Sequence, residues 1–320
     1  MSTYNFTSMY TTLSLDDLKE RIGSLLKEIF ERRRAASRTK FLVVDVDGSY
    51  CWQTSALKGL SPKKKSFSVE QLVEMLTHLV DNTFVSFAGK LWQQIVGIPM
   101  GTNCAGFIAN LYCFTYELDF LKRVVSEGRW ELARQLQNCT RYIDDLFNLG
   151  IPDFDSLRYL PEGIYPKDIL ELNVADAGHS VPYMDIFVRQ NRRRGLITNI
   201  YDKRLDNKFK DVQVIRYPHI DSCLASMAKY GIVTSQMHRF ARRCSLRSDF
   251  VYNSSLVIHR MIQKGYRVSL IWSFVRKFMN QHPTLFSRDH LGIWMRRFKC
   301  KLVQLRLGTI RPGPCRQICT

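Results

Sequence analysis

Two adjacent carboxylates, Asp144 and Asp145, are the residues whose type and spacing most directly indicate chemistry in this sequence. They stand in the segment YIDDLF, which is apolar on both sides of the pair. Two neighbouring negative charges in such a setting repel each other and are costly to desolvate unless they share a cation. Oxygen ligands suit Mg²⁺ and Mn²⁺, so we predict a divalent metal site here. On the dipeptide alone, the alternative interpretation is a solvated turn between two strands.

A stiff segment, GIPMGT, lies upstream of the pair and leads into a predicted helix over residues 103–123. The proline restricts the backbone, and the two glycines leave it uncovered by side chains, so another chain or a ligand can approach it closely. Its six residues are Gly97, Ile98, Pro99, Met100, Gly101 and Thr102. Taken alone, the segment predicts only a loop that enters a helix.

Helical periodicity predicts the helices that must support these residues. Ser14, with Asp17 three residues later, is typical of a helix start, and a second helix is expected from Ser68. Apolar residues at helical spacing predict the buried face of the first helix: Leu18, Ile22, Leu25, Leu26 and Ile29. The corresponding residues of the helix over 103–123 are Ile108, Leu111, Tyr112, Tyr116 and Leu118.

Strands are predicted where β-branched and aromatic residues cluster. The expected strands cover residues 41–46, 181–188 and 196–201, and a hairpin is expected over 84–92 with Gly89 in its turn. Residues 59–65, with Gly, Pro and three lysines, are expected to form a loop. After residue 206 the pattern is mainly helical.

The distribution of charge divides the chain of 320 residues, which carries a net charge of +18, into two parts. Residues 206–320 contain 21 Lys and Arg, five Asp and no Glu, whereas residues 1–205 contain 26 basic and 24 acidic side chains. Such a basic segment favours a polyanionic partner over a small neutral metabolite. Aromatic residues alternate with the basic ones there, and we expect the aromatics to form the core while the charges meet phosphates.

Other classes of protein fit the sequence less well. The longest apolar run near the C-terminus, residues 268–275, is too short to cross a bilayer, so no membrane partner is expected. The N-terminus lacks the basic and then apolar order of a secretory signal. Nine cysteines, an odd number, suit a reducing compartment better than a disulfide framework, which predicts an intracellular protein.

Taken together, GIPMGT, a helix and YIDD resemble the reverse transcriptases of the Penelope-like and telomerase-related kind. Residues 94–121 resemble motif B and its following helix, and residues 141–149 resemble motif C, which carries the catalytic Asp pair of the palm. Residues 3–22 (TYNFTSMYTTLSLDDLKERI) resemble motif A and its helix. Weaker similarities place motif D at residues 164–167 and the segment leading to the primer grip at 181–188.

The resemblance implies roles for individual residues. Asp144 and Asp145 would hold Mg²⁺ or Mn²⁺, and Tyr10 would lie against the sugar of the incoming nucleotide. The GIPMGT segment would contact the template and the base of that nucleotide, and Lys167 would donate a proton to pyrophosphate. The region after residue 206 would be the thumb, which holds the primer–template duplex along its backbone.

The sequence departs from the family at motif A, where Asn5 stands in place of the usual Asp. Two-metal nucleotidyl transfer needs carboxylates from both motifs, so a neutral amide should weaken metal binding and slow the chemical step. An alternative motif A is the strand FLVVDVDGSYCW, in which Asp45 would supply the carboxylate. In the family the fingers precede motif A, so we expect this sequence to lack them.

The fold expected from these features is α+β: a palm of antiparallel strands and packed helices over residues 1–205, followed by a basic helical thumb over 206–320. The implied function is RNA-directed DNA synthesis by a retroelement reverse transcriptase, with an RNA template, a DNA primer and deoxynucleoside triphosphates as partners. The alternative is a catalytically inactive nucleic-acid-binding protein derived from such an enzyme. The family places the protein in the nucleus.

Overall fold

The computed structural model describes residues 1–57, 59, 63–98, 101–203, 215–286 and 291–306. The chain is α+β, with antiparallel sheets and packed helices, as predicted. It forms two compact units, Met1–Ala175 and Asp176–Thr320. This division lies earlier in the chain than the charge boundary at residue 205, because strands that precede that boundary pack with the helices that follow it. The assignment of palm and thumb to the two parts stays a prediction.

The first unit is built on a four-stranded sheet. The strands up to residue 177 are β1 (Ser2–Thr7), β2 (Phe41–Asp45), β3 (Tyr50–Gln53), β4 (Lys64–Phe67), β5 (Phe84–Phe87), β6 (Lys90–Gln93), β7 (Cys139–Tyr142), β8 (Asp145–Asn148) and β9 (Glu171–Ala177). The main sheet has the order β7-β8-β1-β9, while β3-β2-β4 form a second sheet and β5-β6 a separate hairpin. Strand β1 therefore runs beside the strand that carries Asp145.

Within the described residues of this unit, five α-helices accompany these strands: α1 (Met9–Thr12), α2 (Leu15–Ser37), α3 (Val69–Asp81), α4 (Ala105–Ser126) and α5 (Trp130–Leu136). The predicted helix starts are confirmed, since the Ser14 hydroxyl accepts from the Asp17 amide and Ser68 forms a capping box with Gln71. The α2 and α4 faces pack on the sheet with Leu18, Ile22, Ile108, Tyr112 and Tyr116 buried.

Two residues predicted to face the core do not do so. Leu111 is 43% exposed and Ile29 is 38% exposed, because α2 and α4 each bury only one stripe and these positions lie at its margin. Leu26 and Leu118 are half-buried.

The second unit combines one sheet with the basic helices. Its strands are β10 (Ser180–Tyr183), β11 (Ile186–Asn191) and β12 (Gly195–Ile200), and its helices are α6 (Ser226–Arg243), α7 (Arg247–Gln263), α8 (Val268–Gln281), α9 (Pro283–Phe286) and α10 (Leu291–Arg306). Asp185, in the β10–β11 turn, pairs with Arg239 at 3.1 Å and with Arg243 at 2.9 Å. These ion pairs join the sheet to α6.

Most aromatic residues in the helices of this unit are core residues, as predicted. Tyr230, Phe240, Phe250 and Tyr266 are buried in one cluster, and Trp272 and Phe274 pack against it. Lys229 is buried as well, and its ammonium donates to the carbonyl of Ile220.

Two strand predictions need correction. Residues 181–188 do not form one strand, because the chain reverses at Met184, whose φ of 53° is left-handed, and the segment is the β10–β11 hairpin. Lys64 and Lys65 belong to β4 instead of a loop, since they pair with Asp45 and Val44 of β2. Residues 60–62 of that loop lie outside the described part of the chain.

Among the described residues, no helix is both long enough and apolar enough to cross a membrane.

Candidate functional site

The Asp144–Asp145 pair lies at the end of the β7–β8 hairpin. Ile143 turns the chain with a φ of 56°, and Tyr142 pairs with Asp145 across the hairpin. Both carboxylates are partly exposed, while the next residues of β8, Leu146 and Phe147, are buried. The strand therefore anchors the pair in the core and leaves both side chains partly exposed. The alternative interpretation, a turn between two strands, describes the backbone correctly and does not exclude a metal.

Strand β1 brings Asn5 to the pair. Antiparallel pairing places Asn5 opposite Asp145, and the Phe6 amide donates to the Asp144 carbonyl over 3.0 Å. The Asn5 side-chain amide donates to Oδ1 of Asp145 over 3.1 Å. An ionised carboxylate only accepts hydrogen bonds, so the amide nitrogen and not its oxygen must face Asp145. The residue predicted to replace a metal ligand thus binds the neighbouring carboxylate as a donor.

Tyr10 is the next residue of the site. It lies in α1, directly after β1, and burial together with the negative charge of Asp144 raises the pKa of its phenol. The helix α4 begins nearby, since a Cβ at Gly106 would lie 3.8 Å from the Tyr10 hydroxyl and 3.6 Å from Ile143. Tyr10 is therefore close both to the carboxylate turn and to the start of α4.

The described part of the GIPMGT segment packs on α1. The Gly97 amide donates to Leu13 and the Ile98 amide to Tyr10, over 2.8 and 2.7 Å. Gly97 has a φ of 78°, and a Cβ there would lie 2.3 Å from the Tyr10 carbonyl oxygen, so this position requires glycine.

The rest of that segment leads into α4. Gly101 is exposed with open space around it, and the Thr102 carbonyl accepts from the Ala105 amide over 3.1 Å. Pro99 and Met100 lie outside the described residues. The segment therefore contacts Tyr10 at its beginning and the helix at its end.

Arg141 is a positioning residue that sequence reasoning did not identify. Its side chain is 7% exposed, and Nε and Nη2 both donate to the carboxylate of Glu117 on α4. Nη1 donates to the Ile143 carbonyl over 3.0 Å, and Tyr165 donates to Glu117 over 2.7 Å. The guanidinium therefore fixes the left-handed residue that precedes Asp144. An Arg two residues before a turn was the available signal, but its partner lies on another element.

Two other predicted residues lie elsewhere. Lys167 is exposed, and its ammonium lies 5.7 Å from the ring centroid of Tyr159, in the segment before β9. Asp45 is at the end of β2 in the β3-β2-β4 sheet, where its carboxylate pairs with Lys64 at 3.6 Å. The structure thus brings Asn5, and not Asp45, to Asp145.

The donor set near the turn suits one hard cation. Asp144 and Asp145 offer the carboxylate oxygens that Mg²⁺ or Mn²⁺ prefers. Within the described residues, no group of three or more His, Cys, Asp or Glu side chains is placed to hold a metal. In the described part of the site the residue opposite Asp145 is the neutral Asn5, so these residues fit one cation better than the pair of cations used in two-metal transfer.

The second unit presents a basic surface. Its acidic residues within 215–286 and 291–306 are Asp221 and Asp249, and burial raises the pKa of Asp249. The exposed basic side chains include Arg242, Arg267, Arg276, Lys277, Arg296 and Lys299. A surface with this excess of positive charge attracts polyanions in a salt-dependent way.

Two solved structures that align with most of this chain are telomerases. Telomerase from Candida albicans, solved in complex with the TWJ fragment of telomeric RNA, aligns with a TM-score of 0.52 and 12% identity over 94% of this chain and 48% of that one. Telomerase from Candida tropicalis, in a similar complex, gives a TM-score of 0.39 at 12% identity over 90% of this chain and 39% of that one. The chain thus spans about half the length of the first structure, and the likeness shows a telomerase-like fold. No protein-family model and no curated protein matches the sequence.

Proposed function

We propose that this chain is the palm and thumb of a retroelement reverse transcriptase of the Penelope-like and telomerase-related kind. It binds an RNA template paired with a DNA primer, and it adds deoxynucleotides at the Asp144–Asp145 site. The observation that carries the proposal is the contact of β1 with that pair, Asn5 against Asp145 and Tyr10 near Asp144, within a telomerase-like fold. The basic surface of the second unit supports binding to the duplex backbone.

Each residue of the site has a proposed part. Asp144 and Asp145 hold Mg²⁺ or Mn²⁺, which supplies positive charge for the triphosphate when bound. Tyr10 lies against the sugar, and the segment that begins with Gly97 contacts the base of the nucleotide and the template. Lys167 donates a proton to pyrophosphate, for which its side chain must leave the ring of Tyr159.

Nucleotide addition by this chain is slow in the proposed mechanism. Asn5 offers no negative charge, and its amide hydrogen occupies a lone pair of Asp145 that would otherwise face a cation. Replacing Asn5 by Asp supplies the missing carboxylate, and the extension rate should then rise by at least about tenfold, since one hydrogen-bonded charge is worth roughly 1.5–3 kcal/mol.

The second candidate function is nucleic-acid binding without turnover. The same hydrogen bond from Asn5 favours it, together with the lack of a third metal-ligating carboxylate in the described part of the site. Such a protein keeps the basic surface and the sheet but gains no activity from Asn5→Asp. Both candidates bind the duplex, so binding alone does not separate them.

Primer extension on an RNA template, with Mg²⁺ and then Mn²⁺, tests the proposal. The variants are Asn5→Asp, Asp144→Ala combined with Asp145→Ala, and Asp16→Ala as a control at a carboxylate that is 94% exposed. Extension that increases with Asn5→Asp and disappears in the double variant supports the polymerase. Duplex binding without extension by any variant supports the binding protein. Absence of duplex binding by the folded chain overturns both.

A further inference from the structure

The β5–β6 hairpin is an isolated ribbon with both faces open. All eight residues of its strands are exposed, and the two strands form a sheet of their own. Ala88 and Gly89 make the turn, with φ values of 51° and 73°. Two strands alone are rarely stable in water without a further contact. An exposed ribbon rich in apolar residues therefore needs a ligand or partner to explain it.

One face of the ribbon carries two aromatic rings and a lysine. The register pairs Val85 with Trp92 and Phe87 with Lys90, and residues two apart on a strand share a face. Phe87 is 73% exposed and Trp92 is 56% exposed. We call Val85, Phe87, Lys90 and Trp92 the aromatic face. Phe87 and Trp92 are diagonal neighbours across the strands, within reach of one extended ligand.

Charge around the aromatic face favours a polyanion. From residue 82 to residue 103 the sequence contains no Asp or Glu, and Lys90 is its single charged residue. Exposed rings beside a lysine are features by which proteins bind single-stranded nucleic acid: bases stack on the rings and phosphates meet the cation. Stacking needs only the π-face of a base, so it tolerates any sequence.

The base of the ribbon is fixed close to the candidate site. Gln94 donates to the Thr83 carbonyl over 2.9 Å, and the Gln93 side chain donates to the Asp81 carbonyl over 2.8 Å. A few residues later, the Gly97 amide donates to the Leu13 carbonyl and the Ile98 amide donates to the Tyr10 carbonyl. The aromatic face and the residues that contact Tyr10 therefore belong to one continuous segment of the protein, so a nucleic-acid strand bound on that face is close to the proposed nucleotide site.

We propose that the aromatic face binds an unpaired stretch of the nucleic acid, by stacking of bases on Phe87 and Trp92. The identity of the bound strand, the single-stranded template next to the duplex, rests on the proposed function. The stacking of bases on the two rings does not.

The test compares the affinity of the full chain for three fluorescent RNA-containing probes: a blunt duplex, the same duplex with an unpaired RNA overhang, and the unpaired RNA alone. Phe87→Ala and Trp92→Ala should each weaken binding of the two probes that contain unpaired RNA about tenfold. Trp92→Phe should retain most of the wild-type affinity. Leu91→Ala is the matched control, because Leu91 is 70% exposed on the other face of the ribbon. Binding of the blunt duplex should not change.

The outcomes separate this inference from the proposed function. If binding of unpaired RNA depends on the two rings and the blunt duplex does not bind, the proposal for the aromatic face is supported and the proposed polymerase function is overturned. If the ring variants lose the same affinity for all three probes, or lose affinity for none of them, the proposal for the aromatic face is overturned. Sedimentation of wild type as a dimer and of Trp92→Ala as a monomer, with RNA affinity unchanged, also overturns it in favour of a second copy of the chain.

Discussion

The Asn5 side-chain amide donates to the Asp145 carboxylate over 3.1 Å, although 140 residues separate the two along the chain. The contact is set by the pairing of β1 with β8, in which the two residues are directly opposite. It places a neutral donor beside a carboxylate that borders a second one, so the local negative charge is partly compensated without a metal.

Replacing Asn5 by Asp should destabilise the metal-free protein. The change removes this hydrogen bond and adds a like charge, at a cost of roughly 1–3 kcal/mol at pH 7. Repulsion raises the pKa of the introduced carboxyl above its unfolded value, so the part of the loss that depends on charge is complete at neutral pH. It fades as pH falls from the raised pKa to about 4. Denaturant unfolding at pH 3, 5 and 7 measures this.

The same variant should respond more strongly to divalent cations. Mg²⁺ or Mn²⁺ in the millimolar range should raise the Tm of Asn5→Asp by several degrees more than that of wild type, because a ligand that binds only the folded state stabilises it. An equal response of both proteins would show that Asn5 is not part of a cation site.

Removing the Arg141 guanidinium should destabilise the first unit and disorder the carboxylate turn. Arg141→Gln leaves Glu117 without its buried partner and should cost about 3 kcal/mol. Arg134→Gln is the matched control, since Arg134 is 75% exposed in its pair with Glu131 and should cost about 0.5 kcal/mol or less. Urea titration gives both values, and comparable losses would show that the Arg141 contacts are not maintained in solution.

Gly97→Ala should be far more costly than Gly101→Ala. A Cβ at Gly97 would meet the Tyr10 carbonyl at 2.3 Å and has a left-handed φ, whereas nothing lies within 4 Å of a Cβ at Gly101. We expect a loss of roughly 2–3 kcal/mol for the first and less than about 0.5 kcal/mol for the second. Equal stability of the two variants would contradict the packing of this segment on α1.

Stability should fall at alkaline pH through the tyrosines that bond Asp17. Burial, and the nearby Asp17 carboxylate with it, raises the pKa of Tyr116 to about 12 and raises that of Tyr112 as well. Because the pKa of these phenols is higher in the folded than in the unfolded state, their contribution to stability is complete below the unfolded pKa of about 10. It is lost as pH rises towards 12. Tyr116→Phe should lessen this fall between pH 10 and 12, and Tyr50→Phe, at a ring that is 71% exposed, should not.

Local sequence signals correctly predicted the structural features that depend on interactions between residues close together in the chain. Ser14 and Ser68 cap their helices, and Gly89 turns its hairpin, because each depends on residues within about four positions. The aromatic core of the second unit followed from periodicity and composition, whereas the α+β class followed from the predicted elements together with the resemblance to reverse transcriptases. The single strand predicted over 181–188 was wrong because the reversal at Met184 has no glycine or asparagine to mark it, and contacts of Asp185 with α6 support it.

The sequence by itself determined which residues could do chemistry, Asp144 and Asp145, and left Asn5 and Asp45 as alternatives beside them. Only the tertiary structure shows which of the two lies beside Asp145, by pairing β1 with β8 and placing β2 in another sheet. It also decided that Arg141 supports the turn, since Glu117 and Tyr165 come from separate elements. Such choices depend on strand register and on the packing of distant segments, and neither leaves a periodic trace in the local sequence.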